Sequence, residues 1–301
     1  MRRSAVVSFL ALALLSATGC PSDPEPAAKA EKAEKAPPPP PDTTPAEPQF
    51  DLTGPKPPEI SSVLFSVDGA LLPLACFDKG KNALATGADC SALVAEGSEV
   101  YMESSFGKKN LEKTGTGTVM STCGDEGATP TATLSAGADY DWAVWPKSVA
   151  PTFEQLSPDT WSDRGARLEE AEAKAIQDAI AKQKSAKGEF LSKQKALIDV
   201  DGDGKKELFV SAVLLNPADP NNAFFSGLFM APGGDLANVQ LIDKTKKGTD
   251  VIKLFGAVDL DGDGKRELWT GISFDGGAGE RIVQLGAQPT PLGKWTCGAG
   301  S

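Results

Sequence analysis

The sequence contains no histidine, and aromatic residues make up only 7% of its 301 positions, with two tyrosines among them. Without an imidazole no His-dependent catalytic triad can form and no histidine can ligate zinc. No G-x-S-x-G nucleophile elbow occurs, and no C-x-x-C pair supplies a thiolate zinc frame. Positive charge is scarce as well. Thirty Lys and Arg stand against 41 Asp and Glu, a net charge of −11, which disfavours nucleic acid and anionic lipid as partners. Long apolar runs are missing too: the longest, AVVSFLALALL at 5–15, falls short of the roughly 20 residues that cross a bilayer as a helix.

That run is instead the apolar centre of an export signal over residues 1–19. Arg2 and Arg3 precede it, and the small residues Ala17, Thr18 and Gly19 lead to Cys20. The segment Ala17-Thr18-Gly19-Cys20 resembles the bacterial lipoprotein lipobox. The resemblance implies cleavage before Cys20, acylation of that cysteine, and anchorage of the exported chain to a membrane of the cell envelope. Pro21 follows the cysteine in place of the Asp associated with inner-membrane retention, so the outer membrane is the expected location. Each buried acyl methylene contributes about 0.8 kcal/mol, and several chains hold a protein without a spanning helix. Residues 20–58, rich in Pro, Ala, Lys and Glu and carrying five consecutive prolines at 37–41, bury too little apolar surface to fold alone and form a semi-stiff tether.

Besides Cys20, the chain has Cys76, Cys90, Cys123 and Cys297. In an oxidising compartment these are candidates for two disulfides, and each of the three possible connectivities ties Cys297 to the first half. Residues 59–163 contain short apolar runs separated by turn signals, among them ISSVLFSV, ALLPLACF, SEVYMESSF, TGTVMST, TATLSAG and YDWAVWP, which predict a disulfide-braced β-region. Trp142, Trp145 and Trp161 are read as core or loop anchors rather than as a binding groove. Residues 164–187 change period. Leu168, Ala171, Ala175, Ile176, Ala179 and Ile180 recur at helical steps, predicting one amphipathic helix, with Glu169, Glu170 and Glu172 on a solvated face near its positive end.

The decapeptide DVDGDGKKEL at 199–208 returns as DLDGDGKREL at 259–268, and the similarity extends into the flanking apolar segments. Residues 188–301 therefore read as a repeated unit of strands with an acidic loop between the first two. In the segment after the second loop, Leu268, Ile272 and Phe274 alternate with Trp269, Gly271 and Ser273, the pattern of a half-buried strand. In the first loop Asp199, Asp201, Asp203 and Glu207 fall at positions 1, 3, 5 and 9, with the carbonyl of Lys205 at 7. In the second they are Asp259, Asp261, Asp263 and Glu267, with the carbonyl of Lys265. Clustered carboxylates with glycine-enabled winding offer the several hard oxygen ligands that calcium requires. An EF-hand needs an acid at position 12, where Val210 and Thr270 stand.

The D-x-D-x-D-G-x-x-D pattern, with Glu for Asp at position 9, resembles the FG-GAP or VCBS repeats of integrin-type β-propellers. That resemblance implies a loop joining two strands of a blade around one structural calcium, hence two calcium ions here. The expected fold is mainly β with one amphipathic helix: a disulfide-braced β-region in the N-terminal half and propeller-like antiparallel repeats in the C-terminal part. The expected function is that of a membrane-anchored binding or scaffold module of the envelope, not an enzyme, with a protein or glycan as its partner. The alternative is an envelope-polymer hydrolase or other enzyme in which calcium is only structural.

Overall fold

The computed structural model describes residues 48–67, 70–115, 139–183, 188–245, 250–274 and 277–298. The expected signal, Cys20, most of the tether, Cys123 and the segments TGTVMST and TATLSAG lie outside them. Residues 48–301 form one compact unit.

The fold is mainly β, in three antiparallel sheets. The first contains β1 (Ser62–Val67), β2 (Leu71–Asp78), β3 (Ala83–Ala85), β4 (Glu99–Glu103), β5 (Lys109–Lys113) and β6 (Trp142–Trp145) in the order β3-β2-β1-β6-β4-β5. After β7 (Glu154–Gln155) come β8 (Glu189–Ile198), β9 (Glu207–Asn216), β10 (Asp219–Ala231) and β11 (Gln240–Thr245), the second sheet, in which every strand pairs with its neighbour in sequence. The third is a meander of the same kind, β12 (Val251–Val258), β13 (Glu267–Phe274), β14 (Gly277–Gln284) and β15 (Thr290–Gly298), with β7 added beside β12. No sheet closes into a barrel among the described residues.

Side-chain alternation places the third sheet between the other two. Leu254, Leu268, Ile272 and Val283 join Ile198, Phe209, Leu228 and Ile242 of the second sheet in one core. On its other face Val258, Trp269 and Ile282 join Leu64, Leu74, Tyr101, Trp142 and Val144 of the first. Strand β13 is thus buried on both faces instead of the half-buried strand its alternation suggests: Trp269 lies under the first sheet as firmly as Leu268 lies under the second. A row of rings, Phe50, Tyr101, Trp142, Phe153 and Trp269, runs through the first of these interfaces with successive centroids 3.8 to 6.0 Å apart.

The outer faces are covered differently. Over the second sheet lies helix α2 (Glu170–Lys182), whose Ile176, Ala179 and Ile180 pack on Leu208, Val210, Phe225 and Phe229. It starts later than residue 164 because Glu169 takes the N-cap position, its N–H donating to the Glu172 carboxylate at 2.8 Å, a reciprocal cap that fixes the first turn. Lys195 of β8 clamps the same Glu172 at 2.7 Å. Over the first sheet lies the short helix α1 (Ala88–Ser91), a second helix that the sequence periodicity did not indicate, held by the Cys76–Cys90 disulfide with Cα atoms 5.4 Å apart. The remaining cysteine on a described strand, Cys297, stands on β15 opposite Ala278.

The end of the expected tether lies on this body. Phe50 and Leu52 pack against the core between the first and third sheets, and Pro57 is buried. Trp142 is fully buried and donates its indole N–H to Gln155 at 2.8 Å, Trp145 packs at the edge of the disulfide-side core, and Trp161 donates to Asp163 at 3.1 Å.

Candidate functional site

The two acidic loops occupy equivalent places, one joining β8 to β9 and the other β12 to β13. The register at their bases is the same: Ile198 pairs with Glu207 and Val258 with Glu267, then Leu197 with Leu208 and Ala257 with Leu268. Equivalence ends at the bulges, which interrupt pairing between Ser192 and Gln194 in the first copy and between Leu254 and Gly256 in the second.

Inside each loop the carboxylates hold the backbone in matching patterns. Asp199 accepts from the N–H groups of Gly202 (2.8 Å) and Gly204 (3.1 Å), and Asp259 from Gly262 (2.7 Å) and Gly264 (3.0 Å). Asp201 accepts from Asp203 N–H and Asp261 from Asp263 N–H, both at 3.1 Å. Asp203 and Asp263 accept from the N–H groups of Lys205 and Lys265, both at 2.7 Å. Glu207, 2% exposed, receives the Val200 N–H at 2.8 Å, and Glu267, 3% exposed, receives the Leu260 N–H at 3.1 Å. The winding needs positive φ, 74° at Gly202 and 73° at Gly262, a conformation that a β-carbon penalises.

Asp199, Asp201 and Glu207 each bring an oxygen within 4.8 Å of the others, as do Asp259, Asp261 and Asp263. Positions 1 and 3 converge in both loops. The third member differs: Glu207 in the first and Asp263 in the second, so Asp203 and Glu267 stand outside their groups. Lys205 and Lys265 follow at the exposed loop exits. The donors are hard carboxylate oxygens with no sulfur or nitrogen, the donor type that suits magnesium, calcium or manganese. Burial raises the pKa of Asp259 and of Asp261, against the lowering effect of their backbone N–H donors, and pushes Glu267 up to about 8. A metal-free second loop therefore retains protons that a cation would displace.

The loops are neighbours in space as well as repeats in sequence. A β-carbon at Gly202 would lie 2.8 Å from the Gly264 carbonyl oxygen. Arg266 N–H donates to the Val200 carbonyl at 2.8 Å, and its guanidinium reaches both the Asp199 carbonyl (2.7 Å) and Glu154 (2.9 Å). Lys206 approaches the same Glu154 at 3.5 Å. The backbone of Pro57 closes on Gly262, where a β-carbon would clash at 1.9 Å. Position in the sequence gives Lys206 and Arg266 no partner and does not single out Glu154. The basic residues following each acidic run were a signal, but their common partner is remote in sequence.

A second feature is a cavity of about 570 Å³ between the first and third sheets, away from the loops. Phe255 and Trp269 line it together with Asp141, Gln155, Lys253 and Glu280, and Phe106 is at its mouth. Glu280 accepts from Ser66 Oγ at 3.0 Å and from the Trp269 indole at 2.8 Å. Nothing in the sequence pattern marked these residues as a group, because they come from seven separated segments.

Compared with known proteins, the chain matches no protein-family model, no curated protein and no solved structure.

Proposed function

We propose that the chain is a lipid-anchored, exported binding or scaffold module whose carboxy-terminal sheets are organised by two structural calcium ions, one in each acidic loop. The observation that carries this reading is the duplication of an entire hydrogen-bonded loop, donor for donor, at the same register of two successive four-stranded meanders. A turn alone requires neither four acids nor the convergence of three of them. Calcium would take its oxygens from Asp199, Asp201 and Glu207 in one loop and from Asp259, Asp261 and Asp263 in the other, relieving like-charge repulsion that the fold otherwise bears. Two meanders stacked face to face with such a loop between first and second strands are also consistent with propeller-like blades. The cysteine at position 20 would hold the body to the envelope membrane through its acyl chains, and the partner would be a protein or a glycan.

The lack of histidine and of a serine elbow, and the engagement of the clustered acids by backbone donors, favour binding over hydrolysis. Titration calorimetry of the chelator-treated chain with calcium tests the reading: two ions per chain are expected, and none in Asp201→Ala plus Asp261→Ala. Uptake unchanged in that double variant, or no uptake by the unaltered chain, overturns it.

A further inference from the structure

We propose that the cavity between the first and third sheets binds a ligand carrying a protonated amine or guanidinium on an apolar body. This site is independent of the cation loops. Its walls are apolar where Leu72, Leu156 and Phe255 contribute, and Gly271 lines it beside the Phe255 ring, which a β-carbon there would meet at 2.3 Å. Its volume of about 570 Å³ falls within the range of small-molecule sites. At the mouth, on the β4–β5 turn held by Gly107 N–H to the Ser104 carbonyl at 2.9 Å, stands Phe106, 91% exposed. A large ring left in water at the rim of a cavity provides a face for apolar or cationic contact.

The charge of the lining selects the cation. Two carboxylates border the space, Asp141 and Glu280, and both are oriented by donors: the Ser105 N–H on Asp141, and Ser66 Oγ with the Trp269 indole on Glu280. These donors fix the direction in which each carboxylate faces the space. The one basic residue among the described residues of the lining, Lys253, has its ammonium 5.6 Å from the Trp161 ring centroid and 5.5 Å from that of Phe255. Asp163 acts on it from outside the cavity, and burial lowers its pKa. Among the described residues of the lining two carboxylates stand against one ammonium, in a chain whose overall charge of −11 also attracts cations. A free amine and a basic side chain of a peptide share this chemistry.

The test uses the full chain labelled with ¹⁵N-tryptophan, which gives one indole resonance for each of five tryptophans; Trp269→Phe identifies that of Trp269, whose N–H donates to Glu280. Phenethylamine should shift the Trp269 resonance saturably in the millimolar range. Phenethyl alcohol, its neutral counterpart, and the Glu280→Gln chain with phenethylamine should each bind about tenfold weaker, the loss of one charge-assisted hydrogen bond. Phe106→Ala, which disturbs no buried contact, should weaken phenethylamine as well. N-acetyl-Phe-Lys-amide, set against its norleucine counterpart, decides between the sources: tighter binding than phenethylamine assigns the site to peptides, and weaker binding to free amines. Equal affinity for the amine and the alcohol, affinity unchanged in Glu280→Gln together with Asp141→Asn, or no movement of the Trp269 resonance overturns the proposal. None of these results depends on calcium uptake.

Discussion

Removing calcium should lower the melting temperature of the chain by roughly 5 to 12 °C. Three carboxylate oxygens within 4.8 Å in each loop repel one another by about 0.9 kcal/mol per pair in water and about 3.5 kcal/mol at an effective dielectric of 20. The six acids range from buried to exposed, so three pairs cost between about 3 and about 10 kcal/mol per loop. A site of Kd ~10⁻⁴ M in ~1 mM calcium returns about 1.4 kcal/mol, or near 3 kcal/mol for two. For a body of this size each kcal/mol moves the midpoint by about 2–4 °C. Differential scanning calorimetry in 1 mM calcium and then in EGTA measures the difference. The chain with Asp201→Ala and Asp261→Ala should melt at one temperature in both buffers, because positions 1 and 3 belong to the converging group of both loops. A shift of under 1 °C in the unaltered chain, or a shift of full size in the double variant, refutes the reasoning.

Other perturbations follow from the same contacts. In EGTA, stability should fall as pH rises from about 4.5 toward 8, since the folded chain holds the Glu267 proton up to about 8 and the unfolded chain releases it earlier; urea unfolding at pH 5 and pH 8 checks the sign, and calcium should abolish the trend. Arg266→Met removes the guanidinium that ties the Asp199 carbonyl to Glu154 and should cost about 1.5–3 kcal/mol, read as a lower urea midpoint. Gly271→Val drives a side chain into the Phe255 ring and should destabilise by about 1–3 kcal/mol in calorimetry. Reducing the Cys76–Cys90 bridge, which closes a segment of 14 residues, should cost about 3 kcal/mol, seen as a lower melting temperature in reductant.

Much of this fold is written locally, and the part that is not has a physical reason. The loops could be read because the acids of each lie within nine residues of one another and the copies repeat in register. Helix α2 could be read because Ile176, Ala179 and Ile180 recur at helical spacing, although only the Glu169–Glu172 cap set its start. The middle position of the third sheet could not. Alternation in β13 shows two faces, and only the arrival of the first sheet over Trp269 makes the second face as buried as the first. The two-residue strand β7 exists because it pairs with Gly256 and Ala257 about a hundred residues later, beyond the reach of any local pattern. The same holds for Gln194, whose side-chain amide receives and returns hydrogen bonds with the backbone of Leu254, both at 2.8 Å, and for the cavity, whose acids are brought together by sheet packing. Sequence also shows which acids are close along the chain, but not which oxygens converge: Asp203 and Glu267 hold equivalent sequence positions to Asp263 and Glu207 yet stand outside their groups.

The central claim is that a divalent cation sits inside each repeated loop. Anomalous difference density from a crystal grown in calcium and measured at long wavelength tests it most directly. The account predicts two peaks per chain, one bounded by Asp199, Asp201 and Glu207 and one by Asp259, Asp261 and Asp263, with oxygen contacts of about 2.3–2.6 Å. Well-ordered loops with no anomalous peak in either would contradict it.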